Sequence, residues 1–398
     1  MVLKTNKEIS ITSVILFGLV TCILYGVGAG IRSDIGILLK PLVEHCNVSY
    51  ADVSLCIAVM QIVFGMTQPL FGIVAYHRSN RLVLFIGAIL IAVSMGGMLL
   101  SNSFVQLLIS LGILFGAGAG ALAFGLILTS AIHFVGQKNA MIISGMLNAA
   151  AGMVGFVLSP LIQGMLNVGG IQLALTVLAG LGLFLIPVSA VVTSRDPKKA
   201  SNEEEKQAPL PFRKAFHNRT YLLLIAGFST CGFHMVIIES HLFSQYCSYG
   251  ITPTDASWAF SVYGIATILG ALLSGFLCTR MNKGRLLGFY YGFRAVWVLA
   301  FLFLMPKTLA TAFIFSIGLG MTGDATVSPT SGLVSDNFHL SQVATLVGIL
   351  FFCHQIGAFL SAYLGGALLE ATGGYQTVWL IDVALCAFAS IMSYLIRK

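Results

Sequence analysis

Residues 194–219 read SRDPKKASNEEEKQAPLPFRKAFHNR, the one long stretch of this chain that could not enter a hydrocarbon layer. It is densely charged and holds three of the ten prolines. On either side the sequence is apolar almost without interruption. Over all 398 residues, 57% are hydrophobic and 9% are charged, with a mean hydropathy of +0.94. A soluble domain carries about 25% charged residues, so this composition cannot cover a water-facing surface. A helix needs about 20 apolar residues to cross hydrocarbon. The chain divides into twelve such segments, at about 11–39, 50–75, 82–100, 104–132, 140–166, 170–193, 220–246, 255–279, 286–305, 309–334, 341–368 and 375–396. The expected architecture is all-α and membrane-integral: twelve transmembrane helices in two six-helix pseudo-repeats. Residues 1–193 form the N-terminal half, 194–219 the linker and 220–398 the C-terminal half.

The formal charge of +7 could point to nucleic acid, but its distribution argues otherwise. Of 21 Lys and Arg, Arg32 and Arg294 fall within spans and Lys40 and Lys307 lie at the far ends of helices. The rest gather on the linker side. Such asymmetry orients helices with their basic loops in the cytoplasm. The expected location is a plasma or inner membrane, crossed many times, with both termini and the linker cytoplasmic. The apolar run after Lys4 and Lys7 is too long for a signal peptide and reads as a retained first span. The eight cysteines show no C-x-x-C and no zinc spacing. Cys46 and Cys247 lie near equivalent helix ends, which leaves a disulfide between them open.

The two halves repeat one design. Asp52 and Gly72 recur as Asp255 and Gly275, Gly116 and Phe134 as Gly320 and Phe338, and Gly155, Ser159 and Gly164 as Gly357, Ser361 and Gly366. The turn Gly169-Gly170-Ile171-Gln172 recurs as Gly373-Gly374-Tyr375-Gln376. Ser49–Asp52 and Thr252–Asp255 both fit a capping box at a helix start. The glycine run Phe115–Gly120, FGAGAG, follows no strand and lies inside an apolar span. Its glycines at 112, 116 and 120 line one helix face, the pattern of close helix packing rather than of a phosphate loop.

Two six-span halves in parallel repeat resemble the major facilitator transporters. That family's loop signature, roughly G-x-x-x-D-R-x-G-R-R, is matched in part by Gly72–Arg81 (GIVAYHRSNR) and Gly275–Arg285 (GFLCTRMNKGR), with Tyr76 and Thr279 in place of the acidic residue. Gly30–Leu42 (GIRSDIGILLKPL), Phe228–Leu242 (FSTCGFHMVIIESHL) and Phe351–Gln376 resemble the monocarboxylate and oxalate–formate branch, including bacterial YcxA-like permeases. The resemblance implies transport of a small organic anion, often with a proton, and matches Arg32 to the branch's first-span cation. The Asp and Arg that animal members carry in span eight are Thr267 and Ala271 here.

A charge inside a membrane span is costly and marks a candidate functional site. Arg32 can offer a carboxylate a two-pronged hydrogen bond, or snorkel to the interface. Asp34, two residues on, is about 200° round the helix and so on another face. His234 and His354 fall in spans expected to line the cavity. Each can bind substrate, carry a proton or serve as a satisfied packing residue. Gln61, Asn148 and Gln355 add polar lining, with Gln68 on the face of Gln61. Glu239, Asp324 and Asp34 are candidate proton carriers, although Glu239 lies near a helix end where simple solvation would suffice. Arg294, in a span expected to pack outside the cavity, is expected to form a structural ion pair with Asp324. His234 and His241 lie too far apart along one helix to share a metal.

The sequence thus predicts a secondary transporter of a small, anionic, monocarboxylate-like compound by proton symport or exchange. It is expected to work as a monomer in lipid, with no cofactor, no metal and no nucleic-acid partner. Export of a larger amphipathic compound, such as a drug, lipopeptide or siderophore, is the alternative. A membrane enzyme or receptor is disfavoured, because no nucleophile triad, metal cluster or phosphate loop has a supporting context.

Overall fold

The computed structural model describes residues 10–196 and 215–396. Residues 197–214 of the expected linker, with Glu203-Glu204-Glu205, lie outside them. Among the described residues the chain is helical, with no strand. Helix α1 comprises Ile11–Ser33, carried on beyond Asp34 by Ile35–Cys46. It is followed by α2 (Tyr50–His77), α3 (Asn80–Leu100) and α4 (Phe104–Val135). A continuous helical trace over Ala140–Val192 turns at Gly169 and Gly170, where the second glycine has φ +63°, and so forms two spans, α5 (140–168) and α6 (171–192). After the linker come α7 (Arg219–Ser248), α8 (Pro253–Cys278), α9 (Lys283–Phe303), α10 (Leu309–Asn337), α11 (Leu340–Thr372) and α12 (Gln376–Tyr394). Twelve spans stand where twelve were expected. The repeated glycine pair also turns the chain before α12, but there the positive φ falls on the first glycine, Gly373 (φ +73°).

The helix starts show how closely the repeat holds. At α2 the Ser49 hydroxyl accepts from the Asp52 N–H at 3.0 Å, and the Asp52 carboxylate accepts from the Ser49 N–H at 3.1 Å, a complete capping box. At α8 the Thr252 hydroxyl accepts from the Asp255 N–H at 3.2 Å, but the Asp255 carboxylate takes the Thr252 hydroxyl at 2.7 Å in place of a backbone N–H. The second box is therefore half formed.

Packing without a hydrophobic driving force depends on backbones approaching closely at small residues. The repeated glycines make equivalent approaches in both halves. A Cβ built on Gly116 of α4 would lie 2.8 Å from the Met60 carbonyl of α2, and one on Gly320 of α10 would lie 2.5 Å from the Tyr263 carbonyl of α8. Gly155 lets α5 meet Ser33 of α1, and Gly357 lets α11 meet the Ser229 carbonyl of α7. The 112-116-120 stripe meets α2 throughout, at Cys56, Met60 and Phe64.

The halves touch through α2 with α11 and α5 with α8. Cross-half hydrogen bonds gather away from the linker. Tyr50 Oη meets His241 Nδ1 at 3.2 Å and Tyr375 Oη at 3.1 Å, and Glu370 accepts from the Ala51 N–H at 2.9 Å. Asn167 donates to Thr254 Oγ1 at 3.0 Å, and the Ser159 hydroxyl donates to the Ser257 carbonyl at 3.0 Å. The bundle is closed at its far end.

The disulfide left open between Cys46 and Cys247 does not form. All eight cysteines are free, and the Cys46 thiol donates to the Ser101 carbonyl at 3.4 Å.

Candidate functional site

Besides α4, which has a π-helical stretch over Leu108–Phe115 and a break at Leu122–Ala123, three spans lose regular helical geometry within the bundle, each at a carboxylate. In α1 the helix breaks at Asp34 (φ −98°, ψ 7°), whose N–H donates to the Gly30 carbonyl at 3.0 Å. In α7 residues Ile238–Leu242 widen into a π-helical turn containing Glu239. In α10 the helix ends at Thr322, turns at Gly323 and restarts at Val327 after a single 3₁₀ turn, Asp324–Thr326. Irregular backbone at membrane depth is tolerated only where protein buries it or where it lines a cavity.

Arg32 joins the first two irregularities across the halves. Its guanidinium donates to Glu239 Oε2 at 3.1 Å and to Gln61 Oε1 at 3.2 Å, and lies 5.0 Å from the Phe64 ring centre. The Glu239 side chain is 6% exposed and that of Arg32 is 20% exposed. Arg32 therefore does not snorkel, and Glu239 is not solvated at a helix end. Gly36 sets this geometry, since a Cβ there would lie 2.5 Å from the Glu239 carbonyl and 2.6 Å from that of Ser240. Only glycine lets α1 and α7 approach closely enough for the pair.

Asp34 is buried, and its Oδ2 has no hydrogen-bond partner. It lies within electrostatic range of Glu239 but makes no bond with Arg32, as its helical face predicts. Asp324 is exposed, although Ala325 and Thr326 beside it are buried. Arg32, Arg294, His354, Tyr25 and Tyr263 all interact with it electrostatically, from α1, α9, α11, α1 and α8. Asp324 thus opens into an interior cavity rather than to lipid. His354, packed beside the rings of Phe228 and Phe351, interacts with Glu239 and Asp324, and its Nδ1 has no partner. Gln61 Nε2 and Gln355 Oε1 are likewise buried without partners. These polar atoms, on both halves, are buried without a hydrogen-bond partner, which is uncommon in a native fold. Asn148 is exposed on α5 and makes no hydrogen bond among those of the described residues.

Two expectations are corrected. His234 does not line the cavity. It is fully buried, and its Nδ1 lies 2.8 Å from Asp382 of α12, with Cys386 Sγ 3.8 Å away. The reason is rotation about the helix axis: five residues at 100° each put His234 about 140° from Glu239, so one helix cannot aim both inward. Arg294 does not pair with Asp324. It is fully buried and donates to the carbonyls of Thr322 and Gly323, the latter at 2.7 Å, and to Cys231 Sγ at 3.3 Å. The break in α10 strands these carbonyls, and the guanidinium supplies the donors they need. Ser274 donates to the Ala325 carbonyl at 2.5 Å for the same reason. The hydrogen bonds of Arg294 thus go to the backbone and to Cys231 rather than to the Asp324 carboxylate.

Sequence reasoning missed Tyr25, Phe64 and Tyr263 at the cavity, and the cluster of Tyr50, His241 and Tyr375 that closes its far end. A separate cavity of about 660 Å³ lies at the linker end of the N-terminal half, lined by Gln68, Gly72, Tyr76, Asn80, His133 and Asp196 among others. There Asp196 pairs with His133 at 2.9 Å and accepts from Ser130 at 2.7 Å.

The sequence profile of the Major Facilitator Superfamily matches residues 16–248 and 232–398. The chain belongs to that superfamily. Among curated proteins it is 28% identical to the uncharacterized MFS-type transporter YcxA of Bacillus subtilis over 46% of this chain and 46% of that protein, about half its length. It is 21% identical to monocarboxylate transporter 4 of Rattus norvegicus over 95% of this chain and 81% of that one. It is also 21% identical to the aspyridones efflux protein apdF of Emericella nidulans, over 87% and 70%. Among solved structures, a point mutant of the nucleoside transporter NupG superposes with a TM-score of 0.80 at 14% identity, covering 97% of this chain and all of that one. A bacterial homolog of the human lysosomal transporter Spinster, inward-facing and occupied, gives 0.76 at 14% identity over 98% and 97%. At such identities the likeness is one of fold.

Proposed function

We propose that this protein is a secondary transporter that carries a small organic carboxylate by alternating access, with proton symport or exchange. The observation that carries the reading is the Arg32–Glu239 pair, which spans the two halves at the closed end of the cavity. A substrate carboxylate competes with Glu239 for the guanidinium. A buried carboxylate released from its cation is costly to leave charged, so Glu239 takes up a proton as the substrate binds. Asp34, buried nearby with an unpartnered oxygen, is the second proton-carrying group. Gln61, Gln355, His354 and Asn148 supply polar lining. The monocarboxylate transporter among the relatives supports the substrate class.

In this reading residues 1–193 and 220–398 rock as two units about the site, joined by the linker 194–219. Both termini and the linker are cytoplasmic, the membrane is the plasma or inner membrane, and the protein works as a monomer. The closed far end then makes the structure inward-open. The test is uptake of radiolabelled organic acids into proteoliposomes with an imposed pH gradient. Accumulation that follows the gradient and is lost in Arg32→Gln supports the reading, and gradient-independent uptake that survives this substitution overturns it. The relative named as an efflux protein favours a second reading, export of a larger amphipathic compound. Deletion would then sensitise cells to toxic compounds rather than block growth on an acid.

A further inference from the structure

The charges around the cavity do not balance for a simple anion. Three carboxylates, Asp34, Glu239 and Asp324, surround it, while Arg32 is the one cation on its wall among the described residues. Arg294 does not redress this. It is wholly buried behind the α10 break, with its donors directed to the carbonyls of Thr322 and Gly323 and to Cys231. When a substrate carboxylate takes Arg32 and Glu239 becomes protonated, Asp324 still faces the cavity as an exposed carboxylate held by no ion pair. A purely anionic substrate would sit in its repulsive field, and a cation there would be attracted to it.

The backbone supports a built site at Asp324. Arg294 from α9 and Ser274 from α8 both secure the break, so the turn that presents the carboxylate is held from two sides. Two buried glutamines, Gln61 beside Arg32 and Gln355 against Gly65 of α2, have unpartnered polar atoms. Gln61, fully buried and bonded to Arg32 through Oε1, has a free Nε2, which suits a carboxylate oxygen. Gln355, 5% exposed, has a free Oε1, which suits an N–H donor. One unmet donor and one unmet acceptor match a ligand with an acid at one end and a base at the other.

We infer that the cavity takes an amino-carboxylate or similar zwitterion, its carboxylate on Arg32 and Gln61 and its ammonium or other basic group on Asp324. This rests on the reading of Arg32 as a carboxylate anchor and specifies the substrate class. Asp324 is then a specificity-determining residue rather than a proton carrier. A site that pairs both ends of a ligand favours it over analogues lacking either end, because each missing end forfeits a charge-assisted hydrogen bond.

The experiment uses the purified full-length protein and thermal stabilisation by three matched series of two to six carbons: ω-amino acids from glycine to 6-aminohexanoate, the unsubstituted carboxylates of equal length, and the unsubstituted amines. Ligands that bind the native state raise its apparent stability. The expected result is that one amino acid binds at least about 10-fold more tightly than the carboxylate of its length, and that Asp324→Asn removes that preference. The expected factor is about 10- to 150-fold, the worth of one charge-assisted hydrogen bond. Carboxylates that bind as well as amino acids overturn the inference and leave the Arg32 reading standing. Amines that bind while carboxylates do not overturn the Arg32 reading itself. Silence from all three series counts against both. The wild-type ranking needs no variant, so poor folding of Asp324→Asn does not blunt the test.

Discussion

Replacing Arg32 by glutamine separates what the residue does for the fold from what it does for substrate. The change removes the 3.1 Å bond to Glu239 and the 3.2 Å bond to Gln61, and it leaves a carboxylate with 6% exposure facing no cation. Taking one partner from a buried pair costs about 3–5 kcal/mol, because the survivor is uncompensated. One-fifth of the Arg32 side chain is open to solvent, which screens the interaction. The expected loss is therefore near the lower bound, about 3 kcal/mol. It shows as a fall of several degrees in the unfolding midpoint of the detergent-purified protein. The double variant Arg32→Gln/Glu239→Gln removes both charges and keeps two amides able to hydrogen-bond, so the midpoint returns close to the wild-type value. Carboxylate affinity does not return, since the charge-assisted bond worth about 1.5–3 kcal/mol is still missing. Binding stays about 10- to 150-fold weaker. Ligand-induced thermal shifts on the two variants measure both effects together. A single variant as stable as wild type, or a double variant that binds carboxylates at wild-type strength, would refute the reasoning.

Four further outcomes follow from the same geometry. Gly36→Ala places a methyl against the Glu239 and Ser240 carbonyls, which should cost about 1–3 kcal/mol in overpacking. It should also open the far end, read as faster labelling of the native, half-buried Cys247. Arg294→Met strands the Thr322 and Gly323 carbonyls, and should lower membrane abundance severalfold by quantitative blotting. His234→Ala leaves the fully buried Asp382 without its partner. It should lower the unfolding midpoint by an amount matching about 3–5 kcal/mol, while the ranking of bound ligands stays unchanged. Reductant should leave the unfolding midpoint unmoved, because Cys46 and Cys247 are free thiols.

The spans and the repeat were legible because both are written along the chain. Apolar length and basic loops need no partner to be read, and glycines such as Gly116 and Gly320 recur because the same backbone approach is needed twice. Arg32 was legible as a charge that hydrocarbon cannot accept. What remained hidden depends on helices meeting. The α10 break at Gly323–Asp324 exists because Arg294 and Ser274, from other helices, satisfy its carbonyls. The π-helical turn at Glu239 faces α1 only because Gly36 has no side chain. His234 was misplaced for a reason the sequence did contain: its angle from Glu239 allows one of the two, not both, to face the cavity. The Tyr50–His241–Tyr375 closure joins Tyr50 to residues 191 and 325 positions away and has no local signature.

The account turns on a carboxylate displacing Glu239 from Arg32, and proton uptake on binding measures that exchange directly. The ligand giving the largest thermal stabilisation is added to purified protein in lightly buffered detergent solution near neutral pH, with a pH-indicator dye. The account predicts about one proton taken up per ligand bound by the wild type, as linkage requires when a group is protonated by binding, and none by Glu239→Gln. Binding with no proton uptake in the wild type, or with the same uptake in Glu239→Gln, would contradict it.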